Sequence, residues 1–106
     1  MSKLNEVQLE FIEMCQASGL PSPTPEFKFH EDRKWRIDYF FEGKVKIALE
    51  VEGGLWVKSR HRGSTGFLKD MEKYNELTKK EIYLYRVIPS KLSDSKTFSD
   101  LQKILL

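Results

Sequence analysis

Hydrophobic positions change their period several times along the chain, and each change marks an element. Leu4, Val7, Phe11, Ile12, Met14 and Cys15 recur at three- and four-residue steps, which predicts an amphipathic helix over about residues 3–18. Ser2 is its expected N-cap and Gly19 its stop. Pro21, Pro23 and Pro25 then predict a stiff connector. From Glu26 to Glu52 the period becomes two. Phe27 and Phe29 alternate with Lys28 and His30; Trp35, Ile37, Tyr39 and Phe41 alternate with Arg36, Asp38 and Phe40; Val45, Ile47, Leu49 and Val51 alternate with Lys46, Ala48, Glu50 and Glu52. Aromatic and β-branched enrichment makes these strands, and the short connections make them antiparallel. A loop rich in glycine, serine and basic residues follows from Ser59 to Gly66. A second helix is expected over about residues 66–80, capped by Ser64 or Thr65, with Phe67, Met71, Tyr74 and Thr78 as its apolar stripe and Leu77 beside it. The near-continuous apolar run Ile82–Ile88 predicts a buried central strand that Pro89 ends. A last helix over about residues 94–105 carries Phe98, Leu101, Ile104 and Leu105. The predicted order is α-β-β-β-α-β-α, an α/β (α+β) fold with a mixed sheet and helices packed on it.

The middle hairpin places the acids. Core packing requires Ile37, Tyr39 and Phe41 to share a face with Val45, Ile47, Leu49 and Val51, so the connecting loop must hold an odd number of residues. A three-residue loop Glu42-Gly43-Lys44 satisfies this, with Gly43 supplying left-handed freedom. Phe41 would then face Val45, Tyr39 would face Ile47, and Asp38 would face Ala48. Asp38 becomes the diagonal neighbour of Glu50, within roughly 7–8 Å, and Glu52 follows on the same face. An ordinary solvated strand face is the competing explanation. Against it, glutamate is depleted in strands, and neighbouring like charges repel unless solvent or a cation compensates. Mg²⁺ suits such a cluster, because it takes oxygen ligands, typically one or two carboxylates with waters and phosphates.

Composition adds bounds. The 106 residues carry 18 Lys and Arg against 16 Asp and Glu, a formal charge of +2, with 40% hydrophobic residues. That suits one domain with one core. A single cysteine excludes an internal disulfide framework, and with two histidines leaves no structural zinc set. Neither a secretory signal nor a membrane span is expected, which points to a cytoplasmic, reducing location. The balance is uneven along the chain. Between Glu52 and Asp70 there is no acid, only Lys58, Arg60, Arg62 and Lys69, with His61 among them. An acid cluster followed by a basic loop matches what phosphodiester chemistry needs, metal on one side and phosphate contacts on the other. Gly53-Gly54 removes side chains where a bulky ligand would approach.

These residues resemble the PD-(D/E)xK nuclease superfamily. The likeness rests on the order α-β-β-β-α-β, on Arg33-Lys34-Trp35-Arg36-Ile37-Asp38, on Ala48-Leu49-Glu50-Val51-Glu52-Gly53-Gly54 with Trp56, on Arg60-His61, and on Asp70 with Lys73 and Asn75, and it covers about residues 26–88. Small phage and prophage endonucleases, and nucleases of the very-short-patch-repair type, are similar in style. The resemblance implies a restriction-endonuclease-like core with an added C-terminal helix, and Mg²⁺-dependent hydrolysis of DNA, with Mn²⁺ as a substitute and no small-molecule cofactor. It implies that Asp38 and Glu50 hold the metal with the Val51 carbonyl. The third motif position, usually lysine, is Glu52 here, a departure that makes Glu52 a ligand or general base. Lys73 is the alternative source of a lysine. At about 100° per residue its phase lies away from the expected apolar stripe, so a plain surface lysine competes with that role.

Other candidates follow by position. Glu26 would add a fourth acid or stay a surface glutamate. His61 would contact phosphate or act as an acid, or remain an exposed loop histidine. Lys58, Arg60, Arg62 and Lys69 would hold neighbouring phosphates. Trp56 covers the site or packs in the core, Asn75 caps or bonds a loop, and Cys15 is expected buried and inert. The expected partner is DNA, with a homodimer where both strands are cut. A non-catalytic nuclease-fold module that binds DNA or protein, and an RNA-directed nuclease, are the alternatives.

Overall fold

The computed structural model describes residues 4–53, 68 and 70–106. Helix α1 spans Glu6–Ala17 and begins one turn later than its pattern suggests, because Asn5, not Ser2, is its N-cap. Asn5 Oδ1 accepts from the Gln8 backbone N–H at 2.8 Å, and Gln8 Oε1 accepts from the Asn5 N–H at 3.0 Å, a complete capping box. At the other end Gly19 takes φ +78°. The Leu20 N–H then donates to the Cys15 carbonyl and the Gly19 N–H to that of Gln16, a Schellman closure that turns Leu20 into the core.

Strands β1 (Thr24–Lys28), β2 (Arg36–Glu42), β3 (Lys46–Val51) and β4 (Ile82–Val87) form a sheet in the order β1-β2-β3-β4. The first two pairings are antiparallel and β3 pairs with β4 in parallel. The crossover between β3 and β4 includes helix α2, described over residues 70–79. A short 3₁₀ turn, Pro89–Lys91, leads to α3, Ser95–Leu105, with Asp94 at its N-cap. The α-β-β-β-α-β-α order is therefore the observed one. Among the described residues no helix is long and apolar enough to cross a membrane.

The sheet departs from expectation in its register, its turn and the place of β4. The β2–β3 register is Phe41 with Ile47 and Phe40 with Ala48, two residues from the expected pairing, so the loop is Gly43-Lys44-Val45. Parity survives the slip, and Tyr39, Phe41, Ile47 and Leu49 still share one core. Gly43 lacks the expected left-handed backbone. It is glycine because a Cβ would meet the Leu105 carbonyl oxygen at 3.0 Å and the Pro21 side chain at 3.2 Å. β4 lies at the end of the described sheet and not in its middle, leaving Tyr83 63% exposed.

Helices α1 and α3 close one face of the sheet. Phe11, Cys15, Leu20, Tyr39, Phe41, Ile47, Leu49, Phe98 and Leu101 pack there. On the other face Phe29, Ile37, Phe40, Ala48, Leu77 and Ile82 make a smaller cluster, and Ile37 belongs to it, contrary to the expected face. β2 has by then parted from β3, whose last backbone-paired residues are Tyr39 and Leu49.

Candidate active site

The site begins where that ladder ends. One step beyond the Tyr39–Leu49 pair stand Asp38 and Glu50, and side chains replace the missing rungs. The Asp38 N–H donates to Glu50 Oε2 at 3.0 Å, and the Val51 N–H donates to Asp38 Oδ2 at 2.7 Å. Each carboxylate therefore bonds the other residue's strand, and the pair is fixed with respect to both backbones. The residues are direct cross-strand neighbours, closer than the diagonal relation expected from the sequence.

Register extends this row across the sheet. Glu26 falls opposite Asp38 on one side, between the pairs Pro25–Tyr39 and Phe27–Ile37, and Arg86 is the parallel partner of Glu50 on the other. A row of Glu, Asp, Glu and Arg thus crosses four strands at one level.

α2 adds a lysine. Lys73 Nζ stands 2.6 Å from Glu50 Oε1, and both side chains are nearly enclosed, 15% and 9% exposed. Of the expected stripe, Phe67 lies outside the described residues, and Met71, Tyr74 and Thr78 do not form the inward face together. Leu77 is the fully buried residue of the helix, while Met71 is 46% exposed and Thr78 is exposed. Asp70, Lys73, Tyr74 and Leu77 face inward, which carries Lys73 onto the acids. Burial raises the Glu50 carboxyl above its ordinary range; Lys73 and the Asp38 N–H oppose this, and the Asp38 charge adds slightly to it.

The other predicted ligands go elsewhere. Glu52 Oε2 accepts from Arg86 Nε at 3.3 Å, while the Glu52 N–H extends the β3–β4 ladder to the Val87 carbonyl. Glu26, at φ +47°, accepts from Gln8 Nε2 at 2.9 Å and from Arg36 Nη1 at 3.1 Å. The α1 capping box is thereby tied to β1, and Glu26 is already doubly satisfied. Gly53 fits against Pro89, whose Cγ lies 3.3 Å from where a Cβ would be. Asn75 is exposed on α2 and Cys15 is buried as expected. Lys58, Arg60, His61, Arg62 and Lys69, with Gly54 and Trp56, lie outside the described residues.

A cleft of about 460 Å³ borders the row on the α1 side, lined by Gln8, Glu26, Arg36, Asp38 and Val51 among others. Among the described residues no group of three or more His, Cys, Asp or Glu side chains is arranged to hold a metal. The two-carboxylate donor set does fit a hard cation that keeps waters or phosphate oxygens. Asp38 Oδ1 has no hydrogen-bond partner among the described residues, which leaves it available to such a cation. Sequence reasoning missed Arg86, concealed in an apolar run, and the inward face of Lys73. The signal for Lys73 was available in Leu77, four residues on, and in Tyr74 beside it.

Comparison with family models, curated proteins and solved structures finds none that matches this chain.

Proposed function

We propose that this chain is a Mg²⁺-dependent endonuclease acting on DNA, of the PD-(D/E)xK type, serving phage- or mobile-element-like DNA processing such as nicking, flap or junction cleavage. The observation that carries it is the fixed Asp38–Glu50 pair at the end of the β2–β3 ladder with Lys73 Nζ 2.6 Å from Glu50. A divalent cation on these carboxylates supplies charge neutralisation at the phosphodiester and a more acidic bound water. Asp38 presents Oδ1 for that role. Glu50 spends one oxygen on Lys73 and one on the Asp38 N–H, so it orients the lysine as much as it offers a ligand. Lys73 takes the place of the motif lysine that Glu52 leaves vacant in sequence. Its ammonium, held by Glu50, is placed to orient an attacking water and to stabilise charge growing on the phosphate. Glu52 is then a positioning group for Arg86. An intracellular setting accords with the single cysteine, buried and unpaired.

Labelled linear, flapped and four-way DNA, incubated with Mg²⁺, Mn²⁺ or EDTA, tests the proposal. Cleavage that needs the metal and disappears in Asp38→Ala supports it. Absence of metal-dependent cleavage of any substrate overturns it. Salt-sensitive binding without cleavage would identify a non-catalytic module, and cleavage of RNA alone an RNA nuclease.

A further inference from the structure

Arg86 stands on β4 at the fourth position of the row. It sits in the row beside Glu50, on the strand next to it, with its guanidinium carbon 5.6 Å from the Tyr74 ring centroid. Its Nε makes a single contact, 3.3 Å, to Glu52 Oε2. Both terminal nitrogens have no partner among the described residues, and the side chain is 51% exposed while Glu52 is only 14% exposed.

Those features do not suit a purely structural pair. A structural arginine–carboxylate bridge uses the planar fork bidentately and gains most when enclosed; a single long contact at a half-exposed site contributes little. Here the guanidinium is half-exposed, and the one long contact at Nε leaves its terminal nitrogens without a partner among the described residues. The Tyr74 ring is also within 6.0 Å of Lys73 Nζ, so α2 gathers two cations on one aromatic residue. One of them is enclosed and committed to Glu50. The other is presented to solvent one strand away.

We infer that Arg86 is the residue through which the site grips a backbone phosphate of its nucleic-acid substrate, and that Glu52 holds the guanidinium in place and competes with that phosphate. The inference rests on the endonuclease reading for the class of ligand. The geometry supplies the rest: a guanidinium fork matches two phosphate oxygens, and a carboxylate that engages only Nε leaves the terminal nitrogens available.

The competition gives a sign that separates this from a structural role. DNA binding is measured by fluorescence anisotropy over a range of salt concentrations, in EDTA, with all variants in an Asp38→Asn background so that cleavage cannot intervene. Arg86→Ala should weaken binding roughly tenfold near 0.1 M salt and lower the salt slope by about one. Glu52→Gln should leave binding as tight or tighter. Arg86→Gln, which keeps much of the side-chain length, stands in where the alanine variant does not fold, and should behave as the alanine variant does. Unchanged affinity and slope in the Arg86 variants overturns the inference. So does equal weakening by Arg86→Ala and Glu52→Gln, the signature of a pair that only holds the strand end together. Metal-dependent cleavage by the parent chain alongside indifferent Arg86 variants overturns this inference alone. A parent chain that neither binds nor cuts nucleic acid overturns the endonuclease reading and this with it.

Discussion

Seen from α1 and α3, the sheet presents Tyr39, Phe41, Ile47 and Leu49, all buried and closed over by Phe11, Phe98 and Leu101. Seen from α2, it presents Phe40, Ala48 and Ile82, and then, at one end, Glu50 with Lys73. Both faces are made by the same strands with the same alternation. The first is apolar, and among the described residues its buried polar groups are few and bonded, as in Thr97 Oγ1 to the Lys91 carbonyl at 2.7 Å. The second gives up apolar area to place an acid and a base where burial penalises charge. A fold gains little stability from such a substitution, since a buried ion pair is often no better than packed hydrocarbon. The difference therefore separates the face that holds the chain together from the face that carries the Glu50–Lys73 pair of the candidate site.

The sharpest way to break that division is to exchange the consequences of mutation between the faces. On the endonuclease proposal Asp38→Ala removes the proposed metal ligand, and cleavage should fall by roughly three orders of magnitude, since a bound metal contributes several kcal/mol to such reactions. Its thermal unfolding should move far less than that of a core variant. Phe41→Ala, fully buried in the larger core, should lose about 3–5 kcal/mol in denaturant unfolding. The folded fraction of that variant should cut with the parent's kcat. A stability loss in Asp38→Ala as large as that of Phe41→Ala would erase the distinction.

Lys73→Met should act on both scales. Loss of the ammonium should reduce cleavage by about 10²-fold or more with Mg²⁺ saturating, in the range of a positioned acid–base group. If Lys73 serves only to neutralise Glu50, the cleavage rate will survive and only stability will change.

Most of the apolar face could be read from the chain, and much of the polar face could not. Period-two alternation placed Tyr39, Phe41, Ile47 and Leu49 together even though the register was off by two, because a shift of two preserves parity. The same shift matters for Asp38 and Glu50, since it converts a diagonal relation into direct opposition. Only the turn decides between the two registers, and its cause is a tertiary contact: Gly43 is pressed against Leu105, from the far end of the chain. Lys73 was misphased because Met71 and Thr78, the residues that defined the stripe, are exposed in the fold. Arg86 was hidden by its neighbours Tyr85 and Val87, and nothing local distinguishes an edge strand whose partner is parallel from a central one. Hydrophobicity alone predicts a central β4, and its exposed Tyr83 shows why that signal fails for a strand at the end of the described sheet.

The smallest effect tests the electrostatics of the polar face directly. Burial holds the Glu50 carboxyl above its ordinary value near 4.5, despite Lys73. Between that ordinary value and the raised one the folded chain binds a proton at Glu50 that the unfolded chain has released. The favourable contribution is thus complete below the ordinary value and is lost as pH rises through the raised one. Glu50→Gln cannot titrate there. Whatever its absolute stability with Lys73 left unpaired, its unfolding free energy relative to the parent chain should improve as pH rises through that window. Urea unfolding of both chains at intervals across the acid range measures the difference. A trend in the other direction would mean that Lys73 and the Asp38 N–H outweigh burial, making the pair a stabilising salt bridge and removing the electrostatic contrast between the two faces.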